Sequence, residues 1–214
     1  MNTAIGGYLL GSVSGGRYLS SLKMKTNKHN IFATPIWHTN ILNEHINNEI
    51  VDHILQKSKN EPGVGKTNVG GWQSDSIVKD SKFNPLFSEI NEIIKNLDLK
   101  INKIEISQAW CNVNNKNDWN VIHNHGWYNL SAIYFAKKPE NSGKLGIRDP
   151  RAILTSTWGG WANKIYNMYN ENCIIYLNSK VRDLIIFPSF LDHYVTPSDS
   201  DEERITIAVD IMCF

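Results

Sequence analysis

The stretch HNHGWYNLSAIYFA, residues 123–136, is central to the fold because it joins a histidine pair to a strand candidate. His123 and His125 are two residues apart, and in extended backbone such residues project to the same face. Both imidazoles can therefore reach one ion. Imidazole nitrogens suit a first-row transition metal better than Mg²⁺ or Ca²⁺, which prefer oxygen. Because a single H-x-H pair is weak evidence of a metal site, further ligands have to come from elsewhere in the chain.

Strand candidates continue on both sides of this stretch. They are short, apolar or alternating segments with no helical period between them, at 103–113, 130–136, 144–149, 173–178, 183–189 and 204–214. Many short strands joined by turn-type segments predict an antiparallel barrel or sandwich. The first of these strands is expected to place four side chains on one face, those of Ile104, Ile106, Gln108 and Trp110.

Two amphipathic helices are predicted before these strands. Apolar residues recur at four-residue spacing after the candidate N-cap Asn43, at Ile46, Ile50 and Ile54. A second helix is expected from about Pro85 to Leu97, and an edge strand is expected at 31–37. The predicted fold class is α+β, with the N-terminal helices packed on one face of a β-core.

Length and charge set limits on the class of protein. The chain has 214 residues, 41% of them hydrophobic and 20% charged, which fits one compact domain at 31–214. Residues 1–30 are rich in Gly, Ser and Lys and are expected to form a loosely ordered extension. Lys and Arg number 22 against 21 Asp and Glu, so no global field selects nucleic acid or an anionic membrane.

The location and redox state follow from two further features. No apolar run approaches the ~20 residues that span a bilayer, and the N-terminus lacks the basic region of a signal peptide. The three cysteines lie far apart, so neither a thiolate zinc site nor a disulfide framework is indicated. A reducing, cytoplasmic location is therefore expected.

A third histidine and an arginine follow at the C-terminal end. His193 comes after an apolar strand, and Arg204 opens the next strand eleven residues later, so Arg204 and Thr206 project together. An antiparallel return would bring Arg204 back towards His193. A planar guanidinium binds a carboxylate through two charge-assisted hydrogen bonds. The alternative for Arg204 is a surface ion pair with Glu202 or Glu203.

This order of motifs resembles the jelly-roll Fe(II)/2-oxoglutarate-dependent oxygenases. The segments that carry the resemblance are GGWQS (70–74), HNH (123–125), LSAIYF (130–135), DPR (149–151), FPSFLDHYVTP (187–197) and ERITIAVDI (203–211). They are most similar to a family of 2-oxoglutarate/Fe(II) oxygenases with an H-x-H pair and a later DPR. The resemblance covers roughly residues 31–214 and implies a double-stranded β-helix (jelly-roll, cupin-like) core.

The resemblance also implies the ligands of the metal. His123 and His193 would bind Fe(II). His125 stands where most of the superfamily has Asp or Glu, so it is either a third ligand or turned aside with a water molecule in its place. The usual two histidines and one carboxylate leave three metal positions open for the cosubstrate and O₂.

The cosubstrate pocket is implied in the same way. Arg204 and Thr206 would hold the far carboxylate of 2-oxoglutarate, and Ser131 and Asn112 would line its pocket. Phe135 stands where relatives commonly have a second tyrosine. Tyr134 would contact the cosubstrate only if the strand register turned it inward.

The function implied is that of an Fe(II)- and 2-oxoglutarate-dependent dioxygenase. It would consume O₂ and 2-oxoglutarate and hydroxylate a protein or peptide residue such as proline, with a homodimer among the expected assemblies. One alternative is a three-histidine dioxygenase without 2-oxoglutarate, as in some cupins, against which Arg204 argues. Another is a non-catalytic jelly-roll module with a vestigial metal site.

Two segments each allow two interpretations. Arg148-Asp149-Pro150-Arg151 is either a turn with an internal ion pair or a contact for an anionic substrate group. The aromatic stretch 158–169 is either a substrate-recognition surface or a hydrophobic lid over the core.

Overall fold

The computed structural model describes residues 33–151 and 173–214, and the elements below belong to the unit Thr34–Phe214. Two helices are described, α1 (Glu44–Asn60) and α2 (Asn84–Lys95), with a 3₁₀ turn at Ser81–Phe83 before the second. The strands are β1 (Trp37–Asn40), β2 (Asn68–Val69), β3 (Trp72–Gln73), β4 (Ile104–Asn114), β5 (Trp119–His123), β6 (Leu130–Lys137), β7 (Leu145–Arg148), β8 (Ile174–Leu177), β9 (Asp183–Pro188), β10 (His193–Val195) and β11 (Arg204–Cys213).

These strands form two antiparallel sheets. The large sheet has the order β1-β9-β6-β11-β4-β3, and the small sheet has the order β2-β5-β10-β7-β8. Consecutive strands alternate between the two sheets through much of the chain, as in a double-stranded β-helix. The predicted α+β class with a jelly-roll core is confirmed.

The helices pack on the outer face of the large sheet, as the apolar spacing predicts. Asn43 caps α1 by accepting a hydrogen bond from the backbone N–H of Ile46 at 2.9 Å. The apolar faces of both helices join one core cluster with β11, to which they contribute Ile50, Ile54, Leu86, Ile90 and Ile94. Burial of each such side chain contributes roughly 1.5–3 kcal/mol. The helices therefore hold the outer face of β11 and leave its inner face to a cavity.

Strand β11 shows this division most clearly. Its outward residues, all in the core cluster under the helices, are Ile205, Ile207, Val209 and Ile211. Its inward residues line the cavity between the sheets, and these are Arg204, Thr206, Ala208 and Asp210. Strand periodicity thus places two charged side chains inside the protein.

The structure corrects two expectations about strands. The first strand begins at Trp37, and residues 33–36 form no ladder, because Pro35 has no N–H to donate and lies outside the pairing. In β4, Ser107 is an extra residue opposite β11, since Ile106 pairs with Ile211 and the next paired residue is Gln108. This bulge reverses the alternation.

The consequence of the bulge is that the four residues predicted to share a face do not. Ile104 and Ile106 pack against the cluster under the helices, whereas Trp110 lines the cavity.

The predicted extension at 1–30 and the aromatic stretch at 158–169 lie outside the described residues. Within 33–151 and 173–214, no helix has the length and apolar character that crossing a bilayer requires.

Candidate metal centre and cosubstrate cavity

The three histidines singled out in the sequence meet at one point between the sheets. His123 ends β5 and His193 begins β10, and these two residues are direct partners across the antiparallel pair. His125 follows two residues after His123, just beyond the strand. One nitrogen from each ring lies within 4.8 Å of the others.

Each ring is oriented by a hydrogen bond through Nδ1. His123 donates to the carbonyl of Val121 at 2.8 Å, and His193 donates to the carbonyl of Leu191 at 2.9 Å. His125 donates instead to a carboxylate oxygen, Oδ2 of Asp210, at 2.9 Å. Because all three partners only accept, the proton is on Nδ1 and a lone pair remains on Nε2.

Burial keeps two of these rings uncharged. Loss of water, with the neighbouring His123 imidazole as a second cause, lowers the pKa of His193 to about 3. Loss of water also lowers the pKa of His123. A neutral imidazole is the form that binds a metal. The donor set of three imidazole nitrogens therefore fits a first-row transition metal with open coordination positions, and His125 is not turned aside.

The histidines line a cavity whose empty volume, including its open mouth, is about 600 Å³. Arg204 and Asp210 lie towards opposite ends of the inward face of β11, so the guanidinium and the histidines belong to the same cavity. Apolar side chains fill much of the remaining wall, among them Ile133, Phe135, Leu145 and Phe187.

Arg204 is buried in this wall with only 1% of its surface exposed. Nη1 donates to the carbonyl of Ser142 at 2.8 Å, and Nη2 donates to Oδ1 of Asn114 at 2.9 Å. Nε has no hydrogen-bond partner among the described residues. Burial lowers the pKa of Arg204 to about 10, which still leaves the guanidinium charged at neutral pH.

The alternative interpretation of Arg204 as a surface ion pair is wrong. Glu202 and Glu203 lie 3.5 Å and 3.3 Å from Nζ of Lys137 instead. Within the described part of the chain, no carboxylate lies at ion-pair distance from Arg204. A buried charge without a counterion is costly, so the cavity is suited to an anion.

The other predicted cosubstrate residues also line the cavity. Thr206 and Asn112 are direct partners across β11 and β4, and Oδ1 of Asn112 is buried with no partner in the described structure. Ser131 lines the cavity, but its hydroxyl donates to Oδ1 of Asp210 at 3.0 Å. Ser131 is thus linked to the histidine end of the site.

Strand β6 settles which aromatic ring faces inward. Phe135 lines the cavity, whereas Tyr134 points outward to the helices and donates to Oδ1 of the buried Asn47 at 2.7 Å. A tyrosine contact to a cosubstrate from this strand is therefore absent.

In the RDPR segment (148–151), Arg151 Nε contacts both carboxylate oxygens of Asp149 at 2.9 Å and 3.0 Å, which is the internal ion pair of a turn.

Sequence reasoning missed Asp210. It contacts His125 although 85 residues separate the two in the chain. The sequence did contain an indication of this role. Asp210 lies an even number of residues from Arg204 and Thr206 in an otherwise apolar strand, so all three side chains project to the same face. A charged residue at that parity has to face the same cavity.

Comparison with known proteins agrees with this geometry. The model of a family described as "Putative 2OG-Fe(II) oxygenase" matches residues 108–210. No curated protein matches the sequence. Among solved structures, a prolyl hydroxylase from Trichoplax adhaerens, in complex with a peptide fragment of the hypoxia inducible factor oxygen degradation domain, is similar with a TM-score of 0.61. The two are 14% identical, and 83% of each chain is covered.

Two further structures share the fold. A prolyl-4-hydroxylase from Pseudomonas putida has a TM-score of 0.59 at 11% identity, covering 84% of this chain and 92% of the other. HygX from Streptomyces hygroscopicus, with nickel and 2-oxoglutarate bound, has a TM-score of 0.61 at 8% identity, covering 84% and 83%. The matched segment 108–210 contains the three histidines and Arg204, so the part of the chain that forms the site is similar to the family of 2-oxoglutarate- and Fe(II)-dependent oxygenases.

Proposed function

We propose that this protein is an Fe(II)- and 2-oxoglutarate-dependent dioxygenase that hydroxylates a peptidyl residue, with proline as the favoured substrate residue. The observation that carries the cosubstrate assignment is the buried guanidinium of Arg204, which has no carboxylate partner among the described side chains. It lies in one cavity with three histidines whose Nε2 atoms make no hydrogen bond to any side chain or backbone group of 33–151 and 173–214.

The metal would be held by His123, His125 and His193. Bound Fe(II) would supply the activation of O₂ that couples decarboxylation of 2-oxoglutarate to succinate with hydroxylation of a substrate C–H. The three rings are preorganised for metal binding by hydrogen bonds within the protein. The Val121 and Leu191 carbonyls and the Asp210 carboxylate fix the three rings, so little reorganisation is needed on binding.

Arg204 would bind the distal carboxylate of 2-oxoglutarate. Ser142 and Asn114 each accept one hydrogen bond from the guanidinium and so fix its plane, while Nε and one further N–H on each terminal nitrogen remain for the ligand. Thr206 offers a hydroxyl on the same face of β11. Apolar neighbours such as Phe187 exclude water, which strengthens this charge pair.

A peptide is supported as the substrate class by the loops around the metal site. Trp127 is 92% exposed and Phe190 is 56% exposed, each on a loop that adjoins a histidine. The two loops are joined, because His125 N–H donates to the carbonyl of Ser189 at 2.9 Å. Exposed aromatic side chains are typical of surfaces that bind other chains. Two of the similar structures are prolyl hydroxylases.

Anaerobic titration of the Fe(II)-loaded protein with 2-oxoglutarate tests the proposal. We expect a visible metal-to-ligand charge-transfer band for the wild type. Arg204→Met should weaken 2-oxoglutarate binding at least about 30-fold, the equivalent of about 2 kcal/mol for an uncompensated buried charge. Lys95→Met, which removes one positive charge on the exposed side of α2, is the matched control and should bind like the wild type.

The two parts of the proposal fail differently. A wild-type protein that binds Fe(II) but gives no band with 2-oxoglutarate would refute the cosubstrate assignment. An unchanged midpoint in Arg204→Met would remove Arg204 from its role. Succinate release in the presence of proline-containing peptides, compared with the same peptides carrying alanine, tests the substrate class.

A further inference from the structure

Asp210 holds a buried carboxylate directly behind His125. Only 3% of its surface is exposed. Oδ2 accepts the hydrogen bond from Nδ1 of His125 at 2.9 Å, and Oδ1 accepts from the hydroxyl of Ser131 at 3.0 Å. Ser131 has a single hydroxyl proton, and this proton is donated to Asp210. Ser189 Oγ lies 2.9 Å from Ser131 Oγ, so the Ser189 hydroxyl is the donor in the bond between the two serines. A chain of three hydrogen bonds therefore fixes the carboxylate.

The ring of His125 is held from other sides as well. Its backbone N–H donates to the carbonyl of Ser189 at 2.9 Å, which ties it to the same hydrogen-bond chain. The indole of Trp110 stacks on the imidazole, with ring centroids 5.6 Å apart and an interplanar angle of 16°. Turning the ring away from the cluster would break the stacking and leave Asp210 buried without its strongest donor.

The second layer around the three histidines is asymmetric. The Nδ1 atoms of His123 and His193 donate to neutral backbone carbonyls, so of these three histidines His125 alone contacts a carboxylate among the residues described. His125 also stands at the position where a carboxylate ligand is expected from the sequence. The negative charge of a carboxylate ligand is thus replaced in this chain by the charge of Asp210, which contacts His125 at Nδ1.

We propose that Asp210 is a positioning residue that supplies, through His125, the negative charge that a carboxylate ligand would otherwise bring to the metal. The inference rests on the proposed function. Three neutral imidazoles leave a divalent iron one unit more positive than two imidazoles and a carboxylate. A carboxylate bound to Nδ1–H raises the basicity of Nε2 and fixes the ring, which compensates for part of that difference.

The substitution Asp210→Asn tests this with a neutral side chain of the same shape. Fe(II) affinity is measured anaerobically by competition with a chromophoric chelator, and the Fe(III)/Fe(II) reduction potential is measured on the loaded protein. We expect affinity to fall about 10- to 100-fold, the usual effect of losing such an outer partner. The reduction potential should rise, because a nearby negative charge stabilises Fe(III) more than Fe(II).

Asp183→Asn is the matched control. Asp183 is also buried and also contacts a histidine, with Oδ2 2.8 Å from Nε2 of His38, but it does not line the cavity. Its substitution should leave both metal affinity and reduction potential at the wild-type values. An Asp210→Asn protein that binds Fe(II) as tightly as the wild type with an unchanged potential would overturn the inference.

A second variant distinguishes the effect of the carboxylate charge on Fe(II) binding from an effect of the substitution on folding. His125→Asp combined with Asp210→Asn moves the carboxylate to the ligand position and removes the one behind it. We expect this double variant to bind Fe(II) more tightly than Asp210→Asn alone. If Asp210→Asn does not fold, the double variant should still approach the wild-type affinity, and a loss of more than about tenfold would contradict the proposal. Failure of the wild type itself to bind Fe(II) or 2-oxoglutarate would refute the proposed function instead.

Discussion

Gly143 lies against the guanidinium of Arg204 so closely that a Cβ at this position would stand 2.7 Å from Nη1. The same Cβ would be closer still to the carbonyl oxygen of Thr196, and the φ angle of Gly143 is +85°. Glycine is therefore required for both space and backbone conformation. The turn before β7 thus determines where the charge of Arg204 can lie.

Gly143→Ala should weaken 2-oxoglutarate binding by displacing Arg204 and should leave Fe(II) affinity near the wild-type value. The strained backbone is expected to cost about 1–3 kcal/mol of stability as well. The dissociation constants of both ligands and a denaturant titration measure these effects. Gly65→Ala is the control, because nothing lies within 4 Å of its Cβ position. Unchanged 2-oxoglutarate affinity in Gly143→Ala would show that Arg204 does not depend on this approach.

Trp127→Ala should raise KM for a peptide substrate while leaving the dissociation constant of 2-oxoglutarate unchanged. The side chain is 92% exposed and contributes to no core cluster of the described residues, so folding should be unaffected. Steady-state kinetics at saturating 2-oxoglutarate provide the measurement. Phe214→Ala, another exposed aromatic residue at the C-terminus, is the control. Equal KM values in Trp127→Ala and wild type would exclude this loop from peptide binding.

Tyr134→Phe should destabilise the fold without changing the cosubstrate site. The lost hydroxyl leaves Oδ1 of the buried Asn47 unsatisfied, which costs about 1–3 kcal/mol. Chemical denaturation measures this loss. KM for 2-oxoglutarate should stay at the wild-type value because Tyr134 faces the helices. A selective rise in that KM with unchanged stability would instead place Tyr134 at the cavity.

Stability of the metal-free protein should fall as pH drops from about 6.5 towards 3. Burial, followed by the nearby His123 imidazole, lowers the pKa of His193 from 6.5 to about 3. Between these values the unfolded chain binds a proton at His193 that the folded chain does not, so stability rises with pH across this window. Denaturation from about pH 7 to about pH 4 should show a shallower decline for His193→Gln than for wild type.

The exposed residue His45 provides the comparison for this pH effect. His45→Gln should retain the wild-type pH dependence, because its side chain is 81% exposed on α1. Parallel pH profiles for His193→Gln and wild type would mean that burial of His193 does not contribute to acid destabilisation.

Local sequence patterns predicted the elements that carry the site. Strand β6 spans Leu130–Lys137 against an expected 130–136, and β11 spans Arg204–Cys213 against an expected 204–214. Alternation within β11 correctly put Arg204 and Thr206 on one face. These features depend on residues close together in the chain, where hydrophobic periodicity is informative.

Features that depend on the register between distant strands were not predicted. The bulge at Ser107 changes which residues of β4 face the cavity, and no local pattern marks it. The contact of Asp210 with His125 and that of Arg204 with Ser142 join residues 85 and 62 positions apart. Such contacts arise only when the two sheets are assembled. The residues that surround the three histidines were therefore missed, although the histidines themselves were singled out from the sequence.

A crystal structure of the protein loaded anaerobically with Fe(II) and 2-oxoglutarate would test the metal and cosubstrate assignments most directly. We predict Fe(II) bound by the Nε2 atoms of His123, His125 and His193, with the distal carboxylate of 2-oxoglutarate on Arg204. A structure in which His125 turns away and water takes its place would contradict the three-histidine assignment, and one in which 2-oxoglutarate binds without contacting Arg204 would contradict the role of Arg204.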